Sequence, residues 1–434
     1  MTANILNSRL RDTYFSFSAS KGAAHARLLG KDLLRIDCGE ERRFHGLKVA
    51  LLVNEFFGAA GTAKGGYGFL ARHFVAKHLP AEDLELDVLL GIGEHRFAEE
   101  RYEAENVSLY RLPWEPKFRR RWLRRKQYDA YLSIEFEYSK ILDYEERDDV
   151  PLLVWVQDPR PWSEWREINT VQLHREYCYY NQRDYDLVHE WYRQGRVQFA
   201  TQASFLTPKA IDLYRLPNEV DMPRIANPVE QDDSFDVMRH PKKNSIIFLG
   251  RLDSVKRGWI FCEIARLLPD YEFHVLGSAG VNDHARSASL LESYRGGRVP
   301  NLFFHGHVEG EQKQSLLRDA KVLVNTSIHE ALPVSFLEAL SCGVLIVSNR
   351  NPDSLAARFG VWVGEVLGDG IESAPRFASA ICTLLSDEAT RRKLSEEAVA
   401  YVRRQHDVAQ SSSALRSALF AAAARRVSSP VVAG

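Results

Sequence analysis

Four side chains in the second half of the chain have the types and spacing to handle a nucleoside diphosphate. Arg251 and Lys256 are two cations in one glycine-flanked segment, Gly250 to Gly258. A guanidinium binds phosphate oxygens through a planar fork, and an ammonium serves as a compact point charge. Glu330 and Glu338 are two carboxylates, and carboxylates accept hydrogen bonds from hydroxyls, which a ribose offers in pairs. Between them Pro333 is suited to open a helix, its fixed φ and missing N–H matching the first helical position. The N–H groups of Val334, Ser335 and Phe336 would then have no partner within the helix, and such an end attracts anions, phosphate above all. Glu338 would lie about 200° round that helix from Phe336, off its apolar face. The plainer reading is that Glu330 and Glu338 are ordinary acids near a helix start and that Arg251 and Lys256 pair with Asp253. The agreement of several independent features favours the ligand site.

These residues need a particular set of elements behind them. Val322–Val324 is a short β-branched run suited to a strand buried on both faces. Phe336, Ala339, Leu340 and Gly343 follow at helical spacing, with Gly343 placed as a C-cap, and Val344–Val347 reads as a second strand. Ile246–Leu249 is the strand ahead of Arg251. Ligands of open α/β sheets lie beyond the carboxyl ends of the strands, so both loops are expected on one edge.

The first half has the same alternation. A strand at Lys48–Asn54 is followed by Gly58, Gly61, Gly65, Gly66 and Gly68, then by a helix over Phe69–Leu79. The loop is neither GxGxxG nor a Walker loop; its glycines allow either a close ligand approach or simply a tight turn. Strands are expected at Leu86–Gly91, Val107–Leu112, Tyr131–Phe136, Leu152–Val156 and Val197–Ala200, and Gln157 and Asp158 directly follow one of them. Pro217, Pro223 and Pro228 fall in a stretch without periodicity, a linker signature. The expected fold is α/β, with two doubly wound Rossmann-like domains facing each other across a cleft. An N-terminal extension spans 1–46, a first domain 47–225, a second 226–405, and a final helical segment 406–434 packs back on the first domain.

With 57 Lys and Arg against 58 Asp and Glu, the chain has no global field for nucleic acid or membrane. Five scattered cysteines without a CxxC argue against a zinc site and suit a reducing cytoplasm. No apolar run is long enough to span a bilayer, and no metal ligand cluster is expected. One segment stands apart: seven of the ten residues from Lys117 to Lys126 are basic, interleaved with Phe118, Trp122 and Leu123. Arg119, Arg120, Arg121, Arg124 and Arg125 on such a helix suit an anionic membrane surface or a phosphate-bearing acceptor. The plainer reading is a solvated helix balanced by Glu145, Glu146, Asp148 and Asp149.

The motifs resemble those of glycosyltransferase family 4, retaining enzymes of the GT-B fold. The family's Gly-Arg-Leu-x-x-x-Lys-x-Gly segment stands here as Gly250–Gly258, its Glu-x7-Glu as Glu330 to Glu338, and its Asn-Gly-Val-Asp as Asn227-Pro228-Val229-Glu230. The resemblance covers about 47–405, more closely in the second half. It implies sugar transfer from a nucleotide diphosphate sugar, UDP or GDP, to a saccharide or lipid-linked acceptor, with no metal cofactor and no nucleic acid. It further implies that Arg251 and Lys256 hold the diphosphate beside Gly250, that Glu338 holds the ribose, and that Glu330 contacts the sugar. The amides of Leu332, Val334 and Ser335 around Pro333 would line the pocket, and Gly66 would approach the phosphates. The family often has a histidine after the strand ending at Val156; Gln157-Asp158 stands there instead, with Gln157 able to donate to a sugar hydroxyl. Alternatives are a GT-B epimerase or phosphorylase, or a binding protein without catalysis. Apart from the resemblance, the cysteine usage points to the cytoplasm, and the arginine-rich segment to contact at the inner face of the membrane.

Overall fold

A computed structural model describes residues 46–135, 149–174, 178, 180–232, 234–237, 239–279 and 289–425. The extension 1–45, Phe136, and the acids Glu145, Glu146 and Asp148 lie outside the described residues. The strands are β1 (Leu47–Leu52), β2 (Leu84–Ile92), β3 (Glu100–Ala104), β4 (Val107–Leu112), β5 (Ala130–Ile134), β6 (Leu152–Val156) and β7 (Val197–Thr201) in the first half. The second half contributes β8 (Ser245–Leu249), β9 (Glu272–Leu276), β10 (Leu302–Gly306), β11 (Val322–Asn325), β12 (Leu345–Ser348) and β13 (Gly360–Trp362).

The two sheets have the orders β3-β4-β2-β1-β5-β6-β7 and β10-β9-β8-β11-β12-β13. Among the described strands only β3 is antiparallel, paired with β4 at the edge of the first sheet. β5, β6, β11 and β12 are buried at every position, as expected of strands covered by helices on both faces. Chain order reverses between β1 and β5 in the first sheet and between β8 and β11 in the second. Such a reversal leaves a crevice at the carboxyl ends, because the flanking connections depart to opposite faces. Val322 pairs with Ile246 and Leu323 with Ile247, so the loops carrying Arg251 and Glu330 leave the second sheet side by side.

The halves exchange elements. Helix Trp162–Ile168, which follows β6 of the first sheet, buries Trp165 and Ile168 in the second core with Ile246, Phe248 and Trp259. Beyond it Thr170 Oγ1 accepts the N–H of Gly368 at 2.9 Å, and Asp369 Oδ1 accepts those of Gln172 and Leu173 at 2.7 and 2.9 Å. In the other direction, helix Val408–Ala424 buries Leu415 and Leu419 among Leu51, Phe74 and Trp155 of the first core. Arg416 fixes it by donating to the carbonyl of Leu79 at 2.7 Å. The alternation of strand and helix places 158–173 with the first domain, yet its buried side chains Trp165, Ile168 and Val171 lie in the second core.

Candidate functional site

The loop after β8 is built from the backbone outward. Gly250 and Leu252 donate to the carbonyls of Leu276 and Ser278 at 3.1 and 3.0 Å. A Cβ at Gly277 would lie 1.8 Å from the Gly250 oxygen, so no side chain fits there. Asp253 is buried and accepts the Lys256 N–H on Oδ1 at 3.1 Å. Arg257, fully buried with φ 48°, donates to the carbonyls of Thr326, Val366 and Gly368 at 2.7, 2.9 and 2.9 Å. Thr326 Oγ1 in turn donates to the Lys256 carbonyl at 2.8 Å. Thus the loops after β8 and β11 are stapled together.

That stapling puts Lys256 Nζ 2.6 Å from Glu330 Oε1. The same oxygen accepts from Ser327 Oγ at 2.6 Å and Asn325 Nδ2 at 2.9 Å. Burial pushes the Glu330 pKa up, but the ammonium and the two hydrogen bonds outweigh it and hold the carboxyl below its ordinary value. Arg251 stands apart: its side chain is 54% exposed and its guanidinium lies 3.1 Å from Asp253 Oδ2.

Pro333 precedes helix Val334–Ser341 in an extended conformation with no side-chain cap; the Phe336 N–H, expected to be free, donates to the Pro333 carbonyl at 3.0 Å, so only the Val334 and Ser335 amides are left without intrahelical partners. Leu332 beneath them is buried, and Val334 packs against the first core, so this helix end faces the first domain. Glu338 Oε1 accepts from Lys313 Nζ at 2.6 Å, and that ammonium stands 5.1 Å from the Phe69 ring centroid of the first domain. Glu338 therefore lies at the interdomain boundary.

His329 was not singled out by the sequence reading and is the most consequential addition. Its Nε2 is 2.7 Å from Asp158 Oδ1 and its Nδ1 3.1 Å from Glu164 Oε2, with the ring almost fully buried. The contact with Asp158 is a hydrogen bond across the domains, whereas Glu164 Oε2 is near the ring but has no hydrogen-bond partner. Burial opposes ionisation of Asp158, but Arg160 and His329 hold its carboxyl far below the ordinary range. Glu164 is also paired with Lys209, and Arg350 of the second domain with Glu167. Only the adjacency of His329 to Glu330 could have drawn attention to it in the sequence.

Gln157 is buried, its Oε1 accepting from Asn227 Nδ2 at 2.8 Å, and Gln202 donates to its carbonyl. Its backbone N–H and that of Asp158 donate to Glu135 Oε2 at 2.6 and 2.7 Å, and Tyr214 Oη donates to Glu135 Oε1 at 3.1 Å. Burial pushes the Glu135 carboxyl from 4.5 up to about 7 against the pull of those amides. A folded-state value above the unfolded one gives stability that is complete below the unfolded pKa and is lost as pH rises through 7. Glu135→Gln, which keeps an acceptor for the two amides and offers a donor to Tyr214, should flatten the fall in urea midpoint between pH 5 and pH 7. An unchanged slope would place that titration elsewhere.

The glycine loop embraces a side chain of its own. Gly68 N–H donates to Glu55 Oε1 at 2.8 Å, and a Cβ at Gly65 would lie 2.3 Å from Glu55 Oε2. A Cβ at Gly66 would meet nothing within 4 Å, so this position borders open space. The basic segment forms helix Pro116–Lys126, with one correction. Arg119 is buried, donating to the carbonyls of Pro113 and Trp114 at 3.2 and 2.7 Å, and is no part of an exposed anion surface. Its stem falls on the face that carries Trp122 and Leu123.

Among the described residues no three His, Cys, Asp or Glu are grouped to hold a metal ion, and no helix is long and apolar enough to cross a membrane. Residues 230–400 match the family model described as glycosyl transferases group 1. One component of the phosphatidylinositol N-acetylglucosaminyltransferase of Arabidopsis thaliana is 29% identical over 148 residues, 34% of this chain; the match spans about a third of that relative, 31% of its length. A sucrose-phosphate synthase from Thermosynechococcus elongatus superposes with TM-score 0.65 at 15% identity, covering 87% of this chain and all of that one. HepE of Anabaena in complex with UDP and glucose gives 0.62 at 12% identity, over 86% of this chain and all of that one. The trehalose-phosphate synthase of Burkholderia vietnamiensis gives 0.61 at 13%, over 88% and 98%. The chain has the GT-B fold, and its second domain matches the glycosyl transferases group 1 family.

Proposed function

We propose that this protein is a retaining glycosyltransferase of family 4, moving a hexosyl group from a UDP- or GDP-sugar to the hydroxyl of a saccharide or lipid-linked acceptor. The observation that carries the reading is the crevice of the second sheet. There Lys256 contacts Glu330, the half-exposed Arg251 leaves the same loop as Lys256, and the connection after β11 supplies a helix end without a side-chain cap and, further along that helix, Glu338. Each acid is presently neutralised by a lysine, and donor hydroxyls would share those carboxylates. The nucleotide complexes of HepE support UDP, and the phosphatidylinositol-directed name of the curated relative supports a lipid acceptor.

In this mechanism Arg251, Lys256 and the amides of Val334 and Ser335 hold the diphosphate. As the bond from the anomeric carbon to the phosphate oxygen breaks, charge builds on that oxygen, where the cations stabilise it. The acceptor hydroxyl attacks from the face the phosphate leaves, and its proton passes to the departing phosphate oxygen. Bond broken and bond formed lie on one face, so configuration is retained. Asp158 is bound to Arg160 and His329 and serves to set the domains, while Gln157 shapes the wall beside the sugar.

The cations supply the charge stabilisation a metal would otherwise give, so turnover should survive EDTA. Nucleotide release from a panel of UDP-, GDP- and ADP-sugars, with NMR of the first-formed product, is the test. Release from a UDP- or GDP-sugar, insensitive to chelator and with the donor's anomeric configuration, is expected. Inverted product, or activity lost with EDTA, would contradict the mechanism; no release from any donor with any acceptor would contradict the enzyme.

A further inference from the structure

Helix Pro116–Lys126 presents a face that the donor site does not use. At about 100° per residue, Arg120, Arg124, Lys117, Arg121 and Arg125 fall within an arc of about 140°, and all five are exposed. The helix carries no acid. At its first turn lie two exposed apolar side chains, Phe97 and Trp114, each 57% exposed, with the exposed Ile92 at the end of β2, in register with Leu112 of β4. They are held together by the backbone. Trp114 N–H donates to the His95 carbonyl at 2.9 Å, Glu115 N–H to that of Arg96 at 3.0 Å, and the Phe97 ring lies 4.9 Å from Phe118.

Clustered exposed aromatics mark a surface that is covered in use. Rings with one apolar and one wet face sit well at headgroup depth, and cations beside them pair with anionic headgroups. An acidic protein or a nucleic acid would also attract the exposed cations, but an aliphatic and two aromatic side chains at the end of the stripe fit a bilayer better. β2 and β4 run parallel to β1, so the turns bearing Phe97 and Trp114 leave the carboxyl edge of the first sheet, the edge of Glu55, Glu135 and Gln157.

We propose that Phe97, Trp114 and the basic face of helix Pro116–Lys126 dock on an anionic bilayer and bring the carboxyl edge of the first domain towards the lipid. The docking stands on this surface alone. Its value for a lipid-linked acceptor rests on the glycosyl-transfer reading, so binding is measured without donor or acceptor and its failure leaves that reading untouched.

The full chain is co-sedimented with phosphatidylcholine vesicles, with and without phosphatidylglycerol. Wild type should bind only the anionic vesicles and release them in high salt. The K117Q/R121Q/R125Q variant should bind them roughly a hundredfold more weakly, about fivefold for each cation lost from an anionic surface. F97S/W114S should weaken binding further than the salt dependence explains. Both variants should retain the wild-type circular dichroism; these side chains are exposed, so folding does not depend on them. Equal binding of wild type and the triple variant, equal binding to neutral vesicles, or binding to RNA or heparin that vesicles cannot displace would each overturn the proposal.

Discussion

Replacing Arg251 and Lys256 together with alanine should lower kcat/KM for the nucleotide-sugar donor by about ten-thousandfold, taking each transition-state cation as worth about a hundredfold. The two contributions differ in kind. Arg251 is 54% exposed, so its field is screened by water, and the single Arg251→Ala change should cost the smaller share. Lys256 is mostly buried against Glu330. Its loss removes a phosphate ligand and also leaves a buried carboxylate held only by Ser327 and Asn325. Without the ammonium, burial raises the Glu330 pKa, so Lys256→Ala should also gain a new pH dependence in kcat/KM that Arg251→Ala lacks. Steady-state kinetics with matched circular dichroism would check this. Near-wild-type turnover by the double variant would remove the diphosphate site.

The second large effect concerns the junction of the domains. His329→Ala should destabilise the fold by about 3 kcal/mol, since it leaves the buried Asp158 carboxylate without the ring that hydrogen-bonds it. Arg160 and Lys209 remain to hold Asp158 and Glu164, which is why the cost stays at the low end for a broken buried pair. In a double-mutant cycle, Asp158→Asn with His329→Ala should show a coupling of about 2 kcal/mol by urea unfolding. His329 also precedes Glu330 and ties that loop to the first domain, so His329→Ala should raise the donor KM as well as lower stability. Additive effects with unchanged KM would make His329 an ordinary buried residue.

The parts that could be read from the sequence and the parts that could not differ in the range of their causes. β11, Pro333 and helix Val334–Ser341 follow from local periodicity and turn chemistry, so the neighbouring loops that carry Arg251, Lys256 and Glu330 were legible; of the four residues Lys256 and Glu330 meet, while Arg251 lies against Asp253 and Glu338 against Lys313. The docking of helix Trp162–Ile168 into the second core was not. Its amphipathic pattern demands burial but does not say against which sheet, and the partners lie some eighty residues away in the chain. The Asp158–His329 pair spans a longer separation still. Arg119 misled because a charge run announces exposure, whereas helical phase turns one arginine of the five inward, where two carbonyls receive it. The glycine loop showed that backbone approaches something closely; only coordinates reveal that this is the carboxylate of Glu55.

The most direct test of the central claim is calorimetric titration of UDP and of UMP into wild type and into the Arg251→Ala/Lys256→Ala variant. A second phosphate gripped by these two side chains predicts that wild type prefers UDP over UMP by about a hundredfold, two charge-assisted contacts of roughly tenfold each. In the variant that preference should collapse to a few-fold while UMP affinity barely changes. An equal preference for UDP in both proteins would contradict the assignment.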